Sequence, residues 1–192
     1  MPNWCYTNIT FESDNKEFLD KLLEDIQETK TFLNILRPRP AELENWYEWC
    51  CDNWGTKWDL CEEEFSNISK WGDKKIQMGV QFAWCPPEEA LQYFHSQHPD
   101  VKVEWMYVEE GMDFCGHKIL EGGDNVFDDY YDSMSSKSKE EWRQDDSELG
   151  GFVCAMMESY WECQDESEDE SEDQTILPES VDVGGLDILD QQ

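Results

Sequence analysis

The sequence predicts an α+β fold, a split βαββαβ unit with an antiparallel sheet and helices on one face. Three observations carry it. Lys75–Trp84 alternates Ile76, Met78, Val80, Phe82 and Trp84 with Lys75, Gln77, Gly79, Gln81 and Ala83, the period-2 pattern of a half-buried strand. Asn15–Glu28 sets Phe18, Leu19, Leu22, Leu23 and Ile26 on one face at helical period. The stretches then follow one another as strand, helix, inserted helix, strand, strand, helix, strand.

Trp4–Glu12 (WCYTNITFE) is rich in β-branched and aromatic residues and reads as the first strand. Asp14, with Glu17 three residues on, resembles a capping box opening the first helix. The prolines of Leu36-Arg37-Pro38-Arg39-Pro40 fix an extended turn, and Pro40 suits the first position of a new helix. That inserted helix is expected over Ala41–Asn53, with Leu43, Trp46, Tyr47, Trp49 and Cys50 on or near its buried side and Gly55 ending it. Trp58–Ile68 is the expected second strand, although Glu62-Glu63-Glu64 interrupts its alternation. Cys85-Pro86-Pro87 breaks the third strand, and proline followed by Glu88-Glu89 starts a helix running to about Gln97. Val101–Glu110 alternates again, Gly111 offers a turn, and Asp113–Leu120 extends the sheet. The order is that of a ferredoxin-like fold, with an inserted short helix after the first helix.

Composition changes beyond Gly122-Gly123. The expected organisation is a ferredoxin-like domain over 1–123, an acidic extension over 124–163 and a disordered acidic tail over 164–192. In the extension, Lys139–Arg143 reads as a short helix, and Phe152, Val153, Met156, Met157, Tyr160 and Trp161 recur at the spacing of a docking helix. The tail opens on DESEDESED, too polar to offset chain entropy by burial. Its far end, Val181–Leu189, is apolar enough to add to a sheet edge as a short motif, and plain disorder is preferred there.

The 192 residues carry 46 Asp and Glu against 14 Lys and Arg, a net charge of −32. Eleven of the carboxylates fall in 164–192, which has no Lys or Arg; the remaining 35 against 14 leave −21 on residues 1–163. Such a field repels phosphate backbones, so neither direct nucleic-acid binding nor an anionic membrane surface is expected. It favours a cationic protein partner and speeds the encounter; solubility alone is the plainer explanation.

The opening Met1–Thr10 lacks a basic segment followed by an apolar one, so no secretory signal is expected, and no apolar run reaches membrane-spanning length. A reducing, cytoplasmic setting makes the eight cysteines free thiols. No CxxC occurs, and neither a metal nor a cofactor is expected. His95 and His98, three apart on the predicted second helix, read as a metal pair or, preferably, as a polar helix edge. No stretch sets a nucleophile beside a base, and there is no phosphate-binding glycine loop, so no catalytic residue is expected.

Asn45–Asp59 (NWYEWCCDNWGTKWD) concentrates four tryptophans, a tyrosine and two adjacent cysteines. So much aromatic surface is either core or recognition surface. Read as core, Trp46, Trp49, Trp54 and Trp58 plug one end of the sheet, Gly55 makes a tight turn, and Lys57 pairs with Asp59. Read as a surface, Trp46, Trp49, Trp54, Lys57, Trp58 and Asp59 form a protein interface.

Five strings together mark a resemblance: Met1-Pro2-Asn3-Trp4-Cys5-Tyr6-Thr7-Asn8, Pro38–Leu43, Asn53-Trp54-Gly55-Thr56-Lys57-Trp58-Asp59, Phe82-Ala83-Trp84-Cys85-Pro86-Pro87 and Tyr107-Val108-Glu109-Glu110-Gly111. Over about residues 1–120 the chain resembles the YubB-like ferredoxin-fold family carried by bacteriophages and plasmids. The resemblance implies the same fold and a phage or plasmid origin. It brings no activity, so no catalytic residue is carried over, and the cysteine spacing lacks an iron–sulfur pattern.

The functional expectation is a non-enzymatic accessory protein of phage or plasmid type, an acidic interaction module for a cationic host protein. In its sharper form the acidic surface imitates nucleic acid. The alternative left open is a small metal- or thiol-dependent enzyme.

Overall fold

Each apolar residue of the first strand faces an apolar residue of its neighbours, and this registry builds the molecule. The computed structural model describes residues 3–158, of which those through Met156 belong to one compact unit. Strand β1 (Trp4–Glu12) pairs antiparallel with β3 (Lys75–Ala83) on one side and β4 (Lys102–Glu109) on the other. Cys5, Ile9 and Phe11 stand opposite Phe82, Met78 and Ile76, while Ile9 and Phe11 also oppose Trp105 and Val103. With β2 (Ile68–Trp71), β5 (Phe114–Glu121) and β6 (Asp124–Tyr131), the sheet order is β2-β3-β1-β4-β5-β6. The first four strands have the split βαββαβ topology, and β5 and β6 continue it as a meander.

Helices α1 (Lys16–Thr29) and α4 (Glu88–Gln97) cover the apolar face. Leu19, Leu22 and Ile26 from α1 and Ala90, Leu91 and Phe94 from α4 join the strand residues in one core. The first helix starts one residue later than the capping-box reading: Asn15 accepts the Phe18 N–H at 3.1 Å, and Asp14 pairs with Lys74 instead. The insertion holds a short helix α2 (Leu33–Leu36) and then α3 (Trp46–Trp54). Pro40 does not open α3. Asn45 caps it by accepting the Glu48 N–H at 3.2 Å, so the helix begins at Trp46 rather than Ala41. Gly55 ends it as expected, at φ 82°, with its N–H on Cys51 O.

Two strand expectations are corrected. Residues 58–67 are not extended, because Asp59 turns inward and Glu62–Asn67 forms a 3-10 turn that keeps its acids in solvent; only Ile68–Trp71 pairs with β3. Trp84 does not continue the apolar face of β3: its φ of 69° ends the strand at Ala83.

The sheet also runs past Gly123, the expected domain edge. Gly122 and Gly123, both at positive φ, form the turn from β5 into β6, whose far side has no partner strand among the described residues. Beyond it lie α5 (Lys139–Arg143), where expected, and a helix α6 over 148–158, which starts before the predicted Phe152. Tyr160, Trp161, the tail and the Val181–Leu189 motif lie outside the described residues.

Candidate functional site

Four of the five strings that carry the resemblance meet at one end of the sheet, with Arg39 of the fifth beside them. Asn3 accepts the Trp84 N–H at 2.9 Å through its backbone oxygen. Gly111 lies so close to Asn3 that an added Cβ would collide with its side-chain amide. Thr56 donates to Ala83 O at 2.9 Å, and a Cβ on Gly55 would meet the backbone of Pro86, Glu88 and Glu89 at 3.1–3.3 Å. Glu109, buried, accepts the N–H groups of Gly111 and Met112 and closes the turn into β5. The left-handed conformation of Trp84, costly for an aromatic residue, is held by this frame.

The six residues predicted as an interface divide between scaffold and surface. Asp59 is scaffold. Its carboxylate accepts the N–H groups of Phe32, Leu33, Asn34 and Leu60 at 2.8–3.3 Å, which fastens the insertion. Burial pushes this carboxyl above its ordinary value, and the four N–H groups pull against that. The expected Lys57–Asp59 pair therefore does not form. Trp54 is buried, donates from Nε1 to Arg37 O at 2.9 Å and meets Trp49 edge-on, so it too supports rather than presents.

Trp46 and Tyr47 remain 46% and 41% exposed, enough to be touched. Trp58 and Lys57 line a cleft of about 310 Å³ with Trp46, Arg39 and Pro40. Lys57 Nζ lies 4.6 Å from the centre of the Trp58 ring, 5.0 Å from Trp84 and 5.7 Å from Tyr47, so its charge rests on aromatic faces. Arg39 stacks 5.8 Å over Trp54, and Arg37 lies 4.8 Å over Tyr93 while donating to Asn53 O. Most lysines elsewhere bind carboxylates, among them Lys16, Lys21, Lys70, Lys118 and Lys137. Lys57 and Arg39 in this cleft rest on aromatic rings instead. Glu42, Glu44, Glu48 and Asp52, close to these residues in sequence, are exposed.

His95 and His98 do not form a metal pair. His95 is buried: its Nδ1 lies 2.9 Å from Val101 O and its Nε2 accepts the Gly123 N–H at 3.1 Å, so both nitrogens are used in the fold. His98 packs against Phe18 and Phe94. The set with metal-ligand chemistry is one that sequence spacing did not reveal: Glu104, His117 and Glu148, whose donor atoms lie within 4.8 Å of one another. The His117 hydrogen bond holds the Glu104 carboxyl below its usual value. Burial raises the thiols of Cys5, Cys50 and Cys85, and pushes Cys115 up to about 12, which disfavours the reactive thiolate at these four positions.

Residues 53–151 match the family described as the ferredoxin-like domain in Api92-like protein. The chain belongs to this family. The matched span runs from the end of α3 through β6 and α5, so it includes the meander beyond Gly123. Among curated proteins, the chain is 35% identical over 80 residues to the uncharacterized protein YubB of Escherichia coli (strain K12), an alignment covering 42% of this chain and 54% of YubB. The chain thus spans about half the length of this relative. No solved structure matches the chain. Among the described residues, no helix is long and apolar enough to cross a membrane. The family and its relative carry no assigned activity.

Proposed function

We propose that the chain acts as a non-enzymatic binding module that takes a cationic protein onto the surface around Trp46 and Tyr47. The observation that carries this reading is two exposed aromatic rings, Trp46 and Tyr47, on a stretch of chain that also exposes Glu42, Glu44, Glu48 and Asp52. Aromatic anchors supply most of the binding energy of a typical interface, and rim charges supply encounter rate and selectivity. The net charge of −32 extends the attraction well beyond contact. In the phage or plasmid setting that the resemblance implies, the partner is a host protein. Imitation of nucleic acid is the sharper form of the same reading.

Affinity capture with the full-length chain tests it, at about 0.1 M and about 0.5 M salt, where screening of exposed charges differs strongly. The expected result is a basic protein bound at low salt, released at high salt and lost with Trp46→Ala. Capture indifferent to both salt and Trp46→Ala overturns the reading. A captured protein whose nucleic-acid site is blocked supports the mimic form.

A further inference from the structure

Glu104 on β4 and His117 on β5 project from the sheet face opposite the main core. They are diagonal neighbours, since Met106 pairs with His117 and Glu104 pairs with Ile119. His117 is buried, its ring lies 4.8 Å from that of Phe127, and its Nε2 stands 2.8 Å from Glu104 Oε1. Glu148, the first residue of α6, brings a second carboxylate to the same place, all three donors lying within 4.8 Å. Lys102 Nζ stands 3.8 Å from the other Glu104 oxygen, Oε2.

We propose that Glu104, His117 and Glu148 bind one divalent first-row transition ion, Zn²⁺ or Mn²⁺. Two carboxylates held this close repel each other unless a proton or a cation lies between them, and the chain already carries excess negative charge. One imidazole with two carboxylates suits Zn²⁺ or Mn²⁺ better than the all-oxygen sites of Mg²⁺ and Ca²⁺ or the thiolate sites of Cu⁺. Ligands about 2.1 Å from a tetrahedral ion stand about 3.4 Å apart, so the His117–Glu104 contact opens slightly to admit one. Glu148 is exposed and free to adjust its rotamer, whereas the strands fix the backbones of the other two. Lys102 on Oε2 leaves Oε1 for the ion and orients the carboxylate, as an outer partner does in metal sites. Three protein ligands leave a fourth position for water. The ion would tie the start of α6 to the sheet, independently of the aromatic surface and of any partner there.

The test uses the full-length chain, stripped with a chelator and titrated with Mn²⁺, followed by paramagnetic resonance of the free ion, and with Zn²⁺, followed by calorimetry. Nitrogen-15 spectra of the three histidine rings report where the ion sits. The expected result is one equivalent bound, with the His117 signals moving while those of His95 and His98 stay. Glu148→Gln, which spares the fold, is expected to weaken binding about tenfold or more. Absence of saturable binding overturns the proposal, as does saturation without movement of His117, which would put the ion on thiols or surface acids. Unchanged affinity in Glu148→Gln overturns it too.

Discussion

On the helix-covered face, β1, β3 and β4 present Ile9, Phe11, Met78, Phe82, Val103 and Trp105, all fully buried in one continuous core. On the opposite face the same strands present Tyr6, Asn8, Thr10, Gln77 and Gln81, half-buried and polar, with Gln77 donating to Asn8 at 3.3 Å. That second face becomes apolar only at β4 and β5, where Val108 and Cys115 are buried. The chain beyond β6 supplies the neighbouring apolar surface: Tyr131 meets Trp142 at 5.2 Å, and Trp142 donates to Met134 O at 3.0 Å. One face is thus closed by helices threaded between its strands, the other by a segment that arrives after the sheet is complete. The first closure is required by the topology; the second is an addition to it.

The largest effect should come from the first face. Trp105→Ala is expected to cost about 3–5 kcal/mol, read as a lowered urea midpoint. Trp105→Phe should cost much less, because the indole N–H is buried without a hydrogen-bond partner among the described residues and its removal leaves nothing unsatisfied. Equal losses would show that the indole is held by more than packing.

Trp142→Ala sharpens the comparison. It removes a comparable buried side chain from the second face, and is expected to release the amides of 134–156 to hydrogen exchange while β1 and β3 stay protected. Equal loss in β1 and β3 would mean that the two faces fold as one cooperative unit.

Asp59→Ala, in the insertion, should cost about 2 kcal/mol by orphaning the N–H groups that its carboxylate accepts. Thermal denaturation measures it. A loss under about 0.5 kcal/mol would mean that water replaces the carboxylate.

The smallest effect is a pH dependence on the second face. Lys137, 2.6 Å from Asp145 and stacked on Trp142 and Tyr131, holds the Asp145 carboxyl down at about 2. A depressed carboxyl contributes stability that is present above its ordinary value of 3.8 and lost as pH falls towards 2. For this half-buried pair near the surface this amounts to about 1 kcal/mol or less. Asp145→Asn should flatten that part of the stability–pH curve, and an unchanged curve would remove the pair from the account.

The contrast between faces also explains what could be read in advance. β1, β3, β4 and α4 were legible because one side of each is apolar and the other polar, which local periodicity reports. β6 was missed because both its sides are largely exposed, and DNVFDDYY shows no alternation. The second strand begins at Ile68 rather than at the expected Trp58, because Asp59 turns inward to α2, a long-range role that no spacing reveals. The aromatic stretch was visible as a patch; which of its rings would be scaffold was not. The Glu104–His117–Glu148 set needs three separate elements to converge. Its first two members become neighbours once the β4–β5 hairpin register is known, and its third comes from the addition.

Among the described residues β6 is one of the two outer strands of the sheet, β2 being the other, and its edge bears on how copies of the molecule meet. An edge strand offers its unpaired N–H and C=O groups to any similar edge, and β6 adds exposed Val126, Phe127 and Tyr130 to the invitation. The same strand carries Asp124, Asp128 and Asp129. When two such edges approach, carboxylates meet carboxylates before backbones can register, so the strand best suited to start a ribbon of stacked copies is also the one that turns them away.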